Sequence, residues 1–358
     1  MARLRMVWAS SEMILVQRNH SAPQWRDKQV INVALSTFIP VLVIGDDIVG
    51  HIFTDSILAR LRKCAANSPA AELRYRVLAT THSSDMDSAA GSEQQLYQCT
   101  RERWNRWIGA ANAAGLFRDP HGAELKSRLT GIDRDGFRSA LAECMTCWAL
   151  LSELGLHLQP RPSGRDGRVL EFAVQTREGE IGFEVKSPRL GSASLFGPDA
   201  EESTASLDAH STIQATRTAL RSANRQFAAG RRNVLVIAMP EIRKVNAARH
   251  FDEQPTPLIR ALYGVPRAIV GSTGSAQLVV KGNFLQHPGG ATRFTRVSAV
   301  VALEDSGWAK LRTGVLHNPA SAQLVDASLF GKWRQFGGLD AGLRGFSSAV
   351  TGSSAYPL

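Results

Sequence analysis

The sequence predicts an α/β fold in which a mixed sheet is flanked by helices, and three observations carry that expectation. Residues 135–154 (DGFRSALAECMTCWALLSEL) repeat apolar side chains at helical spacing. Residues 169–188 (VLEFAVQTREGEIGFEVKSP) alternate apolar and polar side chains on either side of a polar turn, as a hairpin does. Residues 233–239 (NVLVIAM) form a continuous apolar run, the pattern of a strand buried on both faces. The core therefore reads helix, strand, strand, strand, helix, strand over residues 131–250. A mixed, mostly helical region precedes it over 1–130, an α+β extension follows over 251–340, and a Gly/Ser-rich flexible tail occupies 341–358.

Taken in order, Val30 to Gly45 is apolar but interrupted by Asn32, Ser36, Thr37 and Pro40. It is shorter than the roughly 20 residues a membrane helix needs and reads as buried strands. Ile57 to Ala66 has amphipathic helical spacing, and residues 80–92 are polar enough to predict a loop. Between Gln94 and Leu116, Leu96, Trp104, Trp107, Ile108 and Ala111 share helical spacing, with Gly115 as the stop. Trp104 and Trp107 read as core anchors, although the arginines around them also suit nucleic-acid contact. Asp135 is placed to cap the 135–154 helix and Gly155 to end it. His157 to Pro160 reads as a short strand and residues 161–168 as a basic turn. After the hairpin come a Gly/Ser-rich loop to Ser206, suited to walling a cleft, a helix over 207–229 and the buried strand. Further strands are predicted at 276–281, 297–303 and 314–317, and a helix at 257–263. His317-Asn318-Pro319 suits either a second-shell or DNA-contacting element or a plain Asn-Pro turn.

The hairpin carries the chemistry. Side chains alternate faces along a strand. Ile181, Phe183 and Val185 share one face, and Gly182, Glu184 and Lys186 the other. Leu170, Phe172 and Val174 form the apolar face of the first strand, leaving Glu171 opposite. A four-residue loop, 176–179, pairs Gln175 with Glu180, Ala173 with Gly182 and Glu171 with Glu184. Two directly opposed acids destabilise a sheet unless a cation or a lysine neutralises them. Lys186 lies one step beyond. On the preceding helix Glu143 sits among Ala142, Cys144 and Cys147, a costly place for an unpaired carboxylate.

Length and composition set the frame. The 358 residues are 44% hydrophobic and 21% charged, enough for a sizeable core. The formal net charge is +10 and most cations are arginines, which suits a phosphate-bearing partner. Cys64, Cys99, Cys144 and Cys147 are too few for a disulfide framework, and Cys144 and Cys147 lack the second pair a zinc site needs. With no clear secretory signal, a reducing cytoplasm is the expected compartment.

The order αβββαβ, with Glu171 on one strand and Glu184-Val185-Lys186 on the next, resembles the PD-(D/E)XK nuclease superfamily, the restriction-endonuclease-like proteins. Residues 135–239 carry the resemblance, under a third of the chain. Phe183-Glu184-Val185-Lys186 matches the superfamily's Glu-x-Lys strand. Leu170-Glu171-Phe172 matches its first-acid strand, with Glu for the usual Asp, and Asp166 in the basic turn is the other candidate for that acid. Glu143 stands where many members place a helix acid, and Gln226 resembles a glutamine some carry on the following helix.

The resemblance implies a Mg²⁺-dependent nuclease, with Mn²⁺ able to substitute, acting on nucleic acid and most naturally on DNA. Glu171, Glu184, the Val185 carbonyl and Glu143 would hold the metal. Lys186 would orient or deprotonate water or stabilise the phosphorane, and Gln226 would position phosphate or Lys186. Arg161, Arg165, Arg168, Arg189, Arg231 and Arg232 are candidates for neutralising the backbone. Many members dimerise, so a homodimer is compatible. The alternative is a catalytically inactive nucleic-acid-binding or assembly module on the same fold.

Overall fold

The computed structural model describes residues 4–9, 12–17, 47–80, 91–118, 120–162, 164–188, 202–240, 257–263, 266–270, 276–284, 286–287, 294–305, 311–331 and 333–336. The predicted strands at 30–45, most of the 80–92 loop, the cleft wall at 189–201 with Arg189, and the 341–358 tail lie outside those residues.

The chain divides into two units, residues 1–41 and 42–358. In the first, β1 (Leu4–Ala9) and β2 (Glu12–Gln17) pair antiparallel, from Leu4 opposite Gln17 to Ala9 opposite Glu12. The second unit opens with five helices: α1 (Ile48–Ile52), α2 (Asp55–Ala65), α3 (Pro69–Ala79), α4 (Gly91–Ala113) and α5 (Pro120–Thr130). Next come α6 (Arg134–Trp148), β3 (Leu158–Pro160), β4 (Phe172–Thr176), β5 (Gly179–Lys186), α7 (Glu202–Gln226) and β6 (Arg232–Met239). The order predicted for the core is thus present. The remainder is α8 (Pro257–Tyr263), β7 (Pro266–Val270), β8 (Ala276–Lys281), β9 (Gln286–His287), β10 (Ala299–Asp305), β11 (Leu311–His317) and β12 (Arg334–Phe336).

A seven-stranded mixed sheet runs in the order β12-β11-β10-β6-β5-β4-β3, and β7-β8-β9 form a separate three-stranded one. In the large sheet β5, β6 and β10 are mutually parallel. Their common C-terminal edge is where open α/β sheets place ligands. Successive β6 residues face opposite ways. Val234, Val236 and Ala238 join a core with α4, α5 and α6 residues such as Trp104, Trp107, Leu125 and Leu141. Leu235, Ile237 and Met239 join a second core with Leu220 and Ala223 of α7, Phe227 just past its end and Leu262 of α8. Phe172 and Phe183, cross-strand partners at 0% exposure, each contribute about 1.5–3 kcal/mol to the first core. Helices α1 to α6 therefore share one core, which spans both sides of residue 130.

Some local details depart from expectation. Asp133, not Asp135, caps α6, accepting a bond from Gly136 N at 2.7 Å. The regular helix ends at Trp148 in a single π turn, and Gly155 (φ +66°) then reverses the chain. Helices α3 and α5 had not been anticipated. The hairpin loop has two residues, Arg177 and Glu178, because Thr176 pairs with Gly179 and its hydroxyl donates to Gly179 O at 2.7 Å. Both loops are centred on the same residues, so the register is unchanged.

Candidate acid site at the end of β5

Pairing along β4 and β5 runs from Thr176–Gly179 to Phe172–Phe183, and one further step brings Glu171 level with Glu184. The chain bends there. Leu170 crosses to the α7 side instead of sharing the face of Phe172, and lies over Gly182, where a Cβ would sit 2.6 Å from Leu170 Cδ1. The bend frees Glu171 from the ladder, and its Oε2 accepts the Val185 N–H at 3.0 Å. In a strand the N–H and C=O of one residue point to the same edge, so the Val185 carbonyl faces the Glu171 side as well.

Glu184 is fully buried, and Lys186 donates to its Oε1. Its Oε2 is buried and takes no bond from an N–H donor. Glu171 is partly exposed at the bend, but its carboxyl group is enclosed by protein. Burial first, then the charge of Glu184 and a hydrogen bond with it, push that carboxyl well above the usual carboxylate range. Lys186 is held above its ordinary value. Burial alone would lower it, but Glu184, Glu171 and Glu143 outweigh that penalty.

Glu143 on α6 completes the cluster from the other side of the sheet. Arg128 of α5 binds it bidentately, Nη1 to Oε1 at 2.7 Å and Nη2 to Oε2 at 3.2 Å. Arg161 Nη2 adds a contact to Oε2 at 3.2 Å. Burial and the nearby charge of Glu171 still raise the Glu143 carboxyl, with both arginines pulling the other way. Arg161 holds a left-handed backbone (φ +53°), and its N–H bonds Glu171 O at 3.1 Å. That strained residue therefore ties the Glu171 backbone to the Glu143 side chain.

The structure accordingly gathers Glu143, Glu171, Glu184, Val185 and Lys186. Asp166 is elsewhere: its side chain is 70% exposed in the basic turn and pairs with Arg165 Nε at 3.1 Å. Gln226 is not brought to the site. It ends α7 where β6 begins, at the level of Ile181, with its carbonyl beside Gly164. Lys186 is five residues further along β5, about 17 Å away. Thr216, ten residues earlier on α7, is about 15 Å nearer the Lys186 end. It is fully buried, its hydroxyl has no partner, and sequence reasoning did not single it out.

Of the candidate arginines among the described residues, only Arg161 reaches the acids. Arg231 and Arg232 pair with Glu180 and Glu178 at the far end of the hairpin, and Arg165 and Arg168 are exposed. Arg128 was missed, although Pro120 and the Leu125–Leu129 pair signal its helix. His317 and Asn318 are interior: His317 Nε2 meets Gln335 Oε1 at 2.8 Å, and Asn318 Nδ2 donates to Val297 O at 2.8 Å. Cys144 and Cys147 are buried free thiols, both pushed up by burial and so inert.

Among the described residues no group of three or more His, Cys, Asp or Glu side chains is arranged to hold a metal ion. The donors that converge are two carboxylates and a main-chain carbonyl, with Glu143 turned toward its arginines. This all-oxygen set fits a hard divalent cation that keeps several waters.

No family model, curated protein or solved structure matches the chain. Among the described residues no helix is long and apolar enough to cross a membrane.

Proposed function

We propose that the chain is a divalent-metal-dependent nuclease of the restriction-endonuclease-like type, hydrolysing nucleic-acid phosphodiesters, most naturally those of DNA. The observation that supports this reading is the buried acid pair Glu171–Glu184, with Lys186 on the same strand, at the C-terminal edge of parallel strands. Structural demands give no reason to oppose two buried carboxylates.

Glu171, Glu184 and the Val185 carbonyl would hold Mg²⁺ or Mn²⁺, with Glu143 as a third carboxylate. Such an ion, when bound, polarises a phosphodiester and lowers the pKa of water. Lys186 stays an ammonium at neutral pH because Glu184 sits against it. That favours its stabilising the charge that develops on phosphorus oxygens over its acting as a general base. Arg128 and Arg161 hold the Glu143 carboxylate in a fixed position beside the acid pair. Thr216 takes the place on α7 that the sequence reading assigned to Gln226.

Plasmid nicking in Mg²⁺ or Mn²⁺ tests the reading. Glu184→Gln and Lys186→Ala should each lower the rate by about 100-fold or more. Wild-type activity in both variants would sink the assignment.

One observation favours a second reading, a non-catalytic nucleic-acid-binding module. Glu143 is already satisfied by two arginines and Glu184 by Lys186. Calorimetry showing no Mn²⁺ binding alongside intact DNA binding would select it.

A further inference from the structure

Helix α7 carries Arg217, Arg221 and Arg225 at i, i+4 and i+8. The inward stripe of the same helix, Thr216, Leu220 and Ala223, continued by Phe227 just past its end, packs toward the sheet face on which Glu184 and Lys186 project. The arginines follow that stripe by about a quarter turn or more and form a ridge on the solvent flank, on the Glu184 side of the sheet. Arg217 is half-buried, and Arg221 and Arg225 are exposed.

Several arginines elsewhere find acids: Arg76 with Glu72, Arg101 with Asp47, Arg103 with Asp305, Arg231 with Glu180. Among the described residues these three make no ion pair or hydrogen bond. After Asp208 the helix contains no acid at all. Like charges at i, i+4 destabilise a helix by a few tenths of a kcal/mol per pair, so the row costs stability in the free protein.

We propose that the Arg217–Arg221–Arg225 ridge is a contact surface for the phosphate backbone of a nucleic acid. Neighbouring guanidinium stems lie about 6 Å apart and the row is about 12 Å long, enough to follow several phosphates of one strand. Guanidinium groups bind phosphate bidentately, and a row of them needs no base contacts. An anionic membrane is the poorer partner. The exposed α7 positions beside the arginines, Gln214 just before the row and Thr218 within it, are polar, and an interfacial helix needs apolar anchors beside its cations. The inference rests on the nucleic-acid part of the function proposed above and not on catalysis.

The test is fluorescence anisotropy of a labelled DNA duplex with the full chain, without divalent metal, across a salt series. Replacing all three arginines by Gln should weaken binding about tenfold or more and lower the slope of log K against log[salt] by about 2 to 3. Replacing all three by Lys should keep the slope, which separates lost charge from lost fold. A Gln variant with an unchanged slope overturns the ridge while leaving the nuclease reading standing. A Gln variant that loses the slope, in a protein that cleaves nothing with Mg²⁺, upholds the ridge and overturns the nuclease. Wild-type binding to phosphatidylglycerol vesicles and not to DNA or RNA overturns both.

Discussion

Two buried charge clusters lie at the C-terminal edge of the parallel strands, and they are built on opposite principles. At the end of β10, Asp305 meets Arg103 of α4 at 3.1 Å, with side chains 3% and 9% exposed, and Arg103 also donates to Thr100 Oγ1 at 2.9 Å. One acid there faces one base. At the end of β5, two glutamates face each other and a third lies close by. The first cluster matches an acid to a base and is explained by holding α4 to the sheet. The second leaves like charges opposed and is explained by what it would bind. Burial is common to both, so only the balance of charge separates a structural ion pair from a candidate site.

The contrast breaks most directly on stability. Asp305→Ala strands a buried guanidinium and should cost about 3–5 kcal/mol in urea unfolding. Glu171→Gln removes one of two opposed acids and should leave stability unchanged or higher while nicking activity falls. Equal destabilisation by the two substitutions would make the β5 corner a structural pair.

A smaller effect sharpens the comparison through pH. Glu171 titrates near 4.5 in the unfolded chain and well above it when folded, so the folded protein keeps a proton that the unfolded chain loses. Its contribution to stability is fully present below pH 4.5 and is lost as pH rises through the folded value. Lys186, raised from 10.5, contributes at every pH below that and adds no slope in the acid range. The Tm of wild type should therefore fall relative to Glu171→Gln between pH 4.5 and neutrality. Parallel curves would show that Glu171 titrates normally.

The smallest effect decides between the two candidates for the first acid. Asp166 is exposed in a left-handed turn (φ +56°) that Asn also tolerates. Asp166→Asn should change stability by no more than about 0.5 kcal/mol and leave nicking at the wild-type rate. A large loss of activity would return Asp166 to the site.

Period-two alternation and the turn centred on Arg177 and Glu178 were enough, by themselves, to determine the hairpin register from Thr176–Gly179 to Phe172–Phe183, because both are local. The apolar stripe of α6, the buried β6 run and the burial of Trp104 and Trp107 were equally legible, since hydrophobic periodicity reports burial directly. Other features depended on how elements stack. Arg128 meets Glu143 only because α5 packs against α6, fifteen residues apart in sequence. Leu170 changes face because the chain bends at Glu171, a backbone event that alternation cannot register. Gln226 falls at the other end because α7 runs back along β5, so its middle, near Thr216, and not its last turn lies level with Lys186. Sequence period sets which face a side chain takes. Tertiary packing sets which faces meet, and the charges that oppose one another in the acid corner are a product of that meeting.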